Sequence, residues 1–273
     1  MALQKRVRFE RTKPIKYGRK IVRLSIGPRS DTFVVHEDLL CFNSPLFRQE
    51  LQRLRQVVEG DCPICHERMD PGIRELTFCQ SCGGNFHFDC ISQWEEQGTN
   101  KQHSECPLCR QYLEIDETEQ SETFTYLNPR AFEIYSEWIY KGYIGYTDQE
   151  VANDMFHDLI LAYIFASIVQ DFKFRNATIK ALVEISVSRD MLPHKEDIID
   201  VYKETPVRSR LRRLMVELYI SIRTEDFDES AYWEGLPPQF TRDLAMALRE
   251  KFDYSEEDWD IKKIIAKLGM KST

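Results

Sequence analysis

The sequence predicts an α+β chain with a cysteine-rich insert in its first half and a helical C-terminal region. Three observations carry this. Short β-prone runs bounded by turn residues occur before residue 36 and again near residue 123. Apolar residues recur at helical spacing almost without a break from Ala152 onward. Seven of the eight cysteines fall between Cys62 and Cys109.

The elements follow in order. Residues 20–26 alternate polar and apolar from Val22 onward, Gly27-Pro28 supplies a turn, and residues 32–35 form a second β-prone run, so a hairpin is expected. Ser44-Pro45 is an N-cap followed by proline at the first helical position. Leu46, Phe47, Leu51, Leu54 and Val58 then repeat at helical spacing. The cysteine-rich stretch runs from Asp61 to about Tyr112, and a polar, acidic segment, 114–122, leads back into the main body. Residues 123–127 read as a strand. Asn128-Pro129 opens a helix with Phe132, Tyr135 and Ile139 on one face, ending near Gly142. Further helices are expected at about 152–170, 175–188, 195–204, 208–223, 237–252 and 256–268. Stripes such as Leu211, Met215, Leu218 and Ile222 are core faces without chemistry.

Composition bounds the function. The chain has 273 residues, enough for about two units at roughly 150 residues each. Hydrophobic residues make up 42% and charged residues 30%, which supports a sizeable core. The net charge is -8 and the pI near 5.4, which argues against a large nucleic-acid surface. A basic run, from Lys5 through Lys13 and Arg19 to Lys20, is expected to be a solvated tail over residues 1–18. The first residues hold no apolar core of the length a secretory signal needs. The most apolar run, 159–169, is too short to span a bilayer, and Asp158 and Asp171 flank it. A soluble intracellular protein with no membrane partner is expected, in a compartment where disulfides are rare.

The cysteine spacing carries the chemistry. It reads Cys62-x2-Cys65-x13-Cys79-x2-Cys82-x4-His87-x2-Cys90-x15-Cys106-x2-Cys109. Structural zinc takes four sulfur or nitrogen ligands at tetrahedral corners, and a two-residue gap lets both side chains of a pair reach one ion. Four pairs supply eight ligands, enough for two Zn2+ ions. A disulfide framework would not include the histidine, a redox Cys-x-x-Cys explains one pair, and an iron–sulfur cluster suits this ligand order less well. Spacing alone leaves open whether the pairs group sequentially or interleave. Cys41 reads as a buried small hydrophobe. His66 and His103 are spare, because eight ligands already fill both sites.

Three strings in this stretch, Cys-Pro-Ile-Cys at 62–65, His-Phe-Asp-Cys-Ile-Ser-Gln-Trp at 87–94 and Cys-Pro-Leu-Cys-Arg at 106–110, resemble a RING finger. The ligand order also occurs in PHD fingers. Those usually carry an aromatic residue two positions before the seventh ligand, where this chain has Ser104. Cys82 stands where many RING fingers have histidine, and the x15 gap is long. The resemblance implies a cross-braced finger, with Cys62, Cys65, His87 and Cys90 on one zinc and Cys79, Cys82, Cys106 and Cys109 on the other. It implies no catalytic residue, since full sites leave no position for water. It implies a docking surface for a ubiquitin-conjugating enzyme at Ile64, Trp94, Pro107 and Arg110, and the activity of a ubiquitin ligase. A non-enzymatic interaction scaffold is the second expectation.

The segments flanking the finger resemble a BTB/POZ domain of the type common in fungi. The likeness rests on Ile-Val-Arg-Leu-Ser-Ile-Gly, Phe-Val-Val-His-Glu-Asp-Leu-Leu and Ser-Pro-Leu-Phe-Arg within 20–54, and on residues 123–144. It implies a BTB first part at 19–58, the RING insert at 59–112, a BTB second part at 113–190 and a C-terminal helical region at 191–273. It further implies a protein substrate or a second protomer on the body. The insert falls where the family contacts cullins, which argues against cullin binding.

Overall fold

The computed structural model describes residues 5–8, 17–97, 105–115, 120–146, 152–189, 191–221 and 233–251. Two compact units result, Met1–Leu182 and Val183–Thr273. The first is mixed α/β and carries the cysteine-rich finger.

Strand β1 (Lys5–Arg8) pairs antiparallel with β7 (Tyr143–Tyr146). Part of the segment expected as a solvated tail therefore forms a ladder. The last lysine of the basic run, just past that tail, is also not free: Lys20 is buried and pairs with buried Glu37 at 2.9 Å. The expected hairpin forms from β2 (Ile21–Ile26) and β3 (Asp31–His36), antiparallel in the register Ile21↔His36. Val22, Leu24 and Ile26 are buried on one face of β2, as period-two alternation requires. Gly27 turns the chain at φ +78°, and its N–H donates to the Phe124 carbonyl at 3.0 Å.

Helix α1 (Glu37–Asn43) follows, then α2 (Pro45–Leu51). Ser44 caps α2 by accepting from the Phe47 N–H at 3.2 Å, and its hydroxyl donates to the Val169 carbonyl. The expected continuation of α2 to Val58 does not occur. Leu54 is exposed, and the chain turns into the finger instead. After the finger, β6 (Gln120–Phe124) returns to pair in parallel with β2, giving the sheet order β3–β2–β6. This strand lies three residues earlier than the β-prone run suggests, because parallel pairing with β2 sets its register. The finger is thus spliced between α2 and the third strand of one sheet.

Inside the finger are the short strands β4 (Leu76–Phe78) and β5 (Asn85–His87) and helix α3 (Phe88–Gln97). Helix α4 (Pro129–Lys141) starts at its Asn128 cap and stops at left-handed Gly142. Helices α5 (Ala152–Ile168) and α6 (Phe172–Arg189) complete the core. That core is aromatic: Phe47 meets Phe124 at 5.2 Å, Phe33 meets Phe132 at 4.7 Å, and Tyr135 meets Phe165 and Phe174 at 5.2 and 5.1 Å.

The second unit contains α7 (Lys195–Glu204), α8 (Arg210–Ser221) and α9 (Pro238–Lys251). Leu211, Met215 and Leu218 are buried as the stripe predicts, while Ile222 and the helix expected at 256–268 lie outside the described residues. Buried Arg212 donates to the carbonyls of Tyr202 and Thr205, satisfying acceptors left at the C-terminus of α7. No helix among the described residues is long and apolar enough to cross a membrane.

Candidate metal centre

Three of the four ligand pairs are built by the same loop. In Cys62–His66, Cys79–Gly83 and Cys106–Arg110, the fifth residue's N–H donates to the first cysteine's carbonyl at 2.9, 2.8 and 2.9 Å. The first cysteine's N–H then donates to the carbonyl of the sixth residue (Glu67, Gly84, Gln111) at 2.8, 3.0 and 2.8 Å. The fifth residue takes a left-handed φ of +60°, +75° and +58° in turn. That conformation closes the turn and brings both cysteines of each pair to one side. The fourth pair uses different elements: His87 ends β5, and Cys90 lies in the first turn of α3.

Hydrogen bonds to the β4–β5 hairpin decide how the pairs group. The β4–β5 hairpin holds Cys79 and Cys82 at its turn and His87 at its far end, about 10 Å away at roughly 3.3 Å per residue. The first loop docks at the far end, where the Arg68 carbonyl faces His87 Nε2 at 3.3 Å. The third loop docks at the turn, where the Gln80 N–H donates to the Glu114 carbonyl at 2.8 Å and Cys79 bridges Ile115. The pairs therefore interleave, giving one set of Cys62, Cys65, His87 and Cys90 and another of Cys79, Cys82, Cys106 and Cys109.

Within each set all donor atoms lie within 4.8 Å of one another. Cys65 Sγ is 3.3 Å and Cys90 Sγ 3.8 Å from His87 Nδ1, and Cys82 Sγ is 3.9 Å from Cys106 Sγ. Zinc bonds of about 2.0–2.3 Å to tetrahedral N and S ligands require ligand-to-ligand edges of about 3.3–3.8 Å. These close approaches are the edges of ligand tetrahedra. Nδ1 is then the histidine ligand, and Nε2 carries the proton donated to the Arg68 carbonyl, which fixes ring and tautomer.

Electrostatics agree. Burial, with the neighbouring thiols, pushes Cys82 up to about 12 and Cys90 up to about 11. Cys106 is raised as well, while at Cys62 and Cys79 burial is outweighed by backbone N–H donors, which lower the thiol. A zinc ion among the donors would favour the thiolate form of every cysteine in both sets. Arg74 adds a peripheral cation, with Nη2 at 3.7 Å from Cys90 Sγ and Nη1 paired to Glu67. The donor chemistry fits two zinc ions in closed structural sites.

The residues expected to dock a partner all lie on this frame. Ile64 is half-buried in the first loop and packs against the finger's small core of Cys79, Phe86, Ile91, Cys106 and Leu113. Trp94 is 45% exposed on α3, and its indole N–H donates to the Glu105 carbonyl at 3.1 Å. Pro107 is half-buried in the third loop, and exposed Arg110 closes it. His66 closes the first loop and is exposed, while His103 and Ser104 lie outside the described residues. Leu108, not singled out from the sequence, also lies on this frame. It repeats the position of Ile64 in the third loop, is half-exposed, and would be struck by a Cβ on Gly84. The doubled Cys-Pro-apolar-Cys string was its signal.

The junction to the body was also unforeseen. Buried Arg55 donates from Nε to Asn85 Oδ1 at 2.8 Å and from Nη1 to Asp38 at 2.7 Å, with its guanidinium 5.6 Å from the Phe78 ring centroid. The Gln56 N–H donates to the Gly83 carbonyl, and its side chain to the Cys82 carbonyl. The second zinc loop is thereby bolted to the segment that leaves α2.

Comparison with known proteins agrees at this region. Residues 60–110 match the family described as Ring finger domain. The chain is similar to "E3 ubiquitin-protein ligase ATL42" of Arabidopsis thaliana, 33% identical over 89 residues, which are 32% of this chain and 19% of that protein. It is also similar to "Putative RING-H2 finger protein ATL12" of the same plant, 35% identical over 74 residues, 27% of this chain and 17% of the other. The matched regions thus span under a fifth of each relative. No solved structure matches. The finger is of the RING type, with two cross-braced zinc sites.

Proposed function

We propose that the chain is a RING-type ubiquitin ligase that docks a charged ubiquitin-conjugating enzyme on the finger. The observation that carries this reading is a pair of closed four-donor sites. Neither keeps an open position, so the zinc performs no chemistry and serves to hold a platform. Ile64, Trp94, Pro107 and Arg110 on that platform hold the thioester for attack, and proximity and orientation carry the rate. The named relatives support the reading for the finger.

The flanking body, read as a BTB/POZ domain divided at the boundaries given above, recruits a protein substrate or a second protomer without a cullin. The cysteine-rich zinc sites accord with a reducing intracellular compartment. Light scattering showing only monomer at tens of micromolar would exclude the second protomer.

The scaffold reading has one observation in its favour. Ile64 packs inward and the Trp94 indole is satisfied within the finger, so both also serve the fold. Discharge of ubiquitin from a panel of conjugating enzymes onto free lysine separates the two. The ligase reading expects wild type to accelerate discharge and the Ile64→Ala, Arg110→Ala double variant to lose it. Equal rates in both leave the scaffold.

A further inference from the structure

The cations in and around the finger are nearly all of one kind. Residues 21–140 contain nine arginines and a single lysine, Lys101. The remainder of the chain contains thirteen arginines and fourteen lysines. An even spread of lysine would place roughly six or seven in that stretch, so the bias lies in the choice of lysine and not in the use of cations. The arginines do not owe their identity to burial. Seven of the nine are exposed, among them Arg48, Arg53 and Arg68, and only Arg55 is buried. Lysine would meet the ordinary demand for charge and solubility at an exposed position equally well. Where lysine does adjoin this stretch, Lys20 is buried and salt-bridged to Glu37. Exposed lysines resume at Lys141 and recur at Lys173, Lys180 and Lys203.

One chemical property separates the two side chains. Guanidinium stays protonated and is no nucleophile, whereas lysine yields a free amine. In ubiquitin transfer that amine attacks the thioester carbonyl. The carbon–sulfur bond to the conjugating enzyme breaks, a carbon–nitrogen isopeptide bond forms, and the thiolate leaves and takes up the amine's proton. Any lysine within reach of the docked enzyme is an acceptor.

We propose that, Lys101 aside, the surface around the finger is kept clear of acceptor amines, so that ubiquitin passes to a bound partner and is not returned to the ligase. This rests on the ligase reading above. The partner's lysine is then the nucleophile nearest the thioester, and the arginines keep the surface charged without competing.

The test uses the full zinc-loaded chain with Arg48→Lys, Arg53→Lys and Arg68→Lys combined. These exchanges keep the charge and lie outside the docking residues. Two readouts are taken together: discharge from the conjugating enzyme onto free lysine, and mass-spectrometric mapping of ubiquitin remnants on the chain. The expected result is unchanged discharge, a severalfold rise in self-modification and remnants at positions 48, 53 or 68. Accelerated discharge with no remnant at any of the three would overturn the proposal while leaving the ligase reading intact. No acceleration by wild type would remove the ligase reading and this proposal with it.

Discussion

At Gly83 the backbone sits at φ +75°, and an added Cβ would run into the Leu54 carbonyl. Gly60 has nearly the same φ, +74°, with nothing within 4 Å of its missing Cβ. The pair separates conformational strain from close approach. Gly60→Ala should cost about 1 kcal/mol, the strain of a left-handed residue. Gly83→Ala should cost more, about 2–4 kcal/mol, because the zinc loop must also back away from the segment joining it to α2. Urea unfolding of the zinc-loaded variants measures both, and equal losses would refute the close-approach argument. Arg55 is the side chain at the same junction, bonded to both Asn85 and Asp38. Arg55→Leu should lose about 2–3 kcal/mol, somewhat less than for a fully buried pair because Asp38 is partly exposed. A loss under half a kcal/mol in the same experiment would show that Arg55 does not hold the junction.

Among elements, the finger stands apart in how it is stabilised. Its central apolar cluster is Cys79, Phe86, Ile91, Cys106 and Leu113, two of them zinc ligands, and beside these only Leu76 and Phe78 and the ligands Cys62 and Cys90 are buried hydrophobics among the finger's described residues. So little apolar area cannot offset the entropy of ordering the chain, and metal binding must supply the difference. Helix α4 by contrast buries Phe132, Tyr135, Trp138 and Ile139. Removing zinc with a strong chelator should therefore erase amide-exchange protection at Leu76–Phe78 and Asn85–His87 and leave it at Pro129–Lys141. Retained protection in both strands after verified metal loss would contradict this account.

For the whole molecule, acid is the natural probe of the two zinc centres. Protons compete with zinc for each thiolate, so apparent affinity falls as pH falls. Burial raises the Cys82 and Cys90 thiols, so each holds its proton more tightly against the ion. The second site has four thiols, whereas the first has three thiols and a histidine, so the second ion must displace one more thiol proton. Between pH 8 and 6.5 the all-sulfur site should weaken more steeply. Cobalt-substituted protein reports this directly: the tetrathiolate spectrum should fade before the spectrum of the mixed site. The reverse order would show that local packing outweighs proton count.

The sequence alone determined the zinc chemistry and most of the local architecture. Eight ligands at two-residue gaps specify two tetrahedral sites because the ion's geometry admits few other arrangements. Ser44-Pro45 and Asn128-Pro129 marked helix starts because capping is a local interaction, and the β2–β3 hairpin was legible from period-two alternation around a glycine turn. Helical spacing past Leu51 misled, because periodicity cannot tell a helix from an irregular segment whose apolar residues happen to repeat. Long-range pairing was hidden for the same reason. Nothing near Lys5 announces β7, nothing near Lys20 announces Glu37, and nothing near Arg55 announces Asn85. The grouping of the ligands belongs here too. Spacing allowed two arrangements, and the interleaved one follows from hydrogen bonds that dock the first and third loops at opposite ends of a hairpin of three-residue strands. Those bonds join residues distant in the chain, and only the folded molecule brings them together.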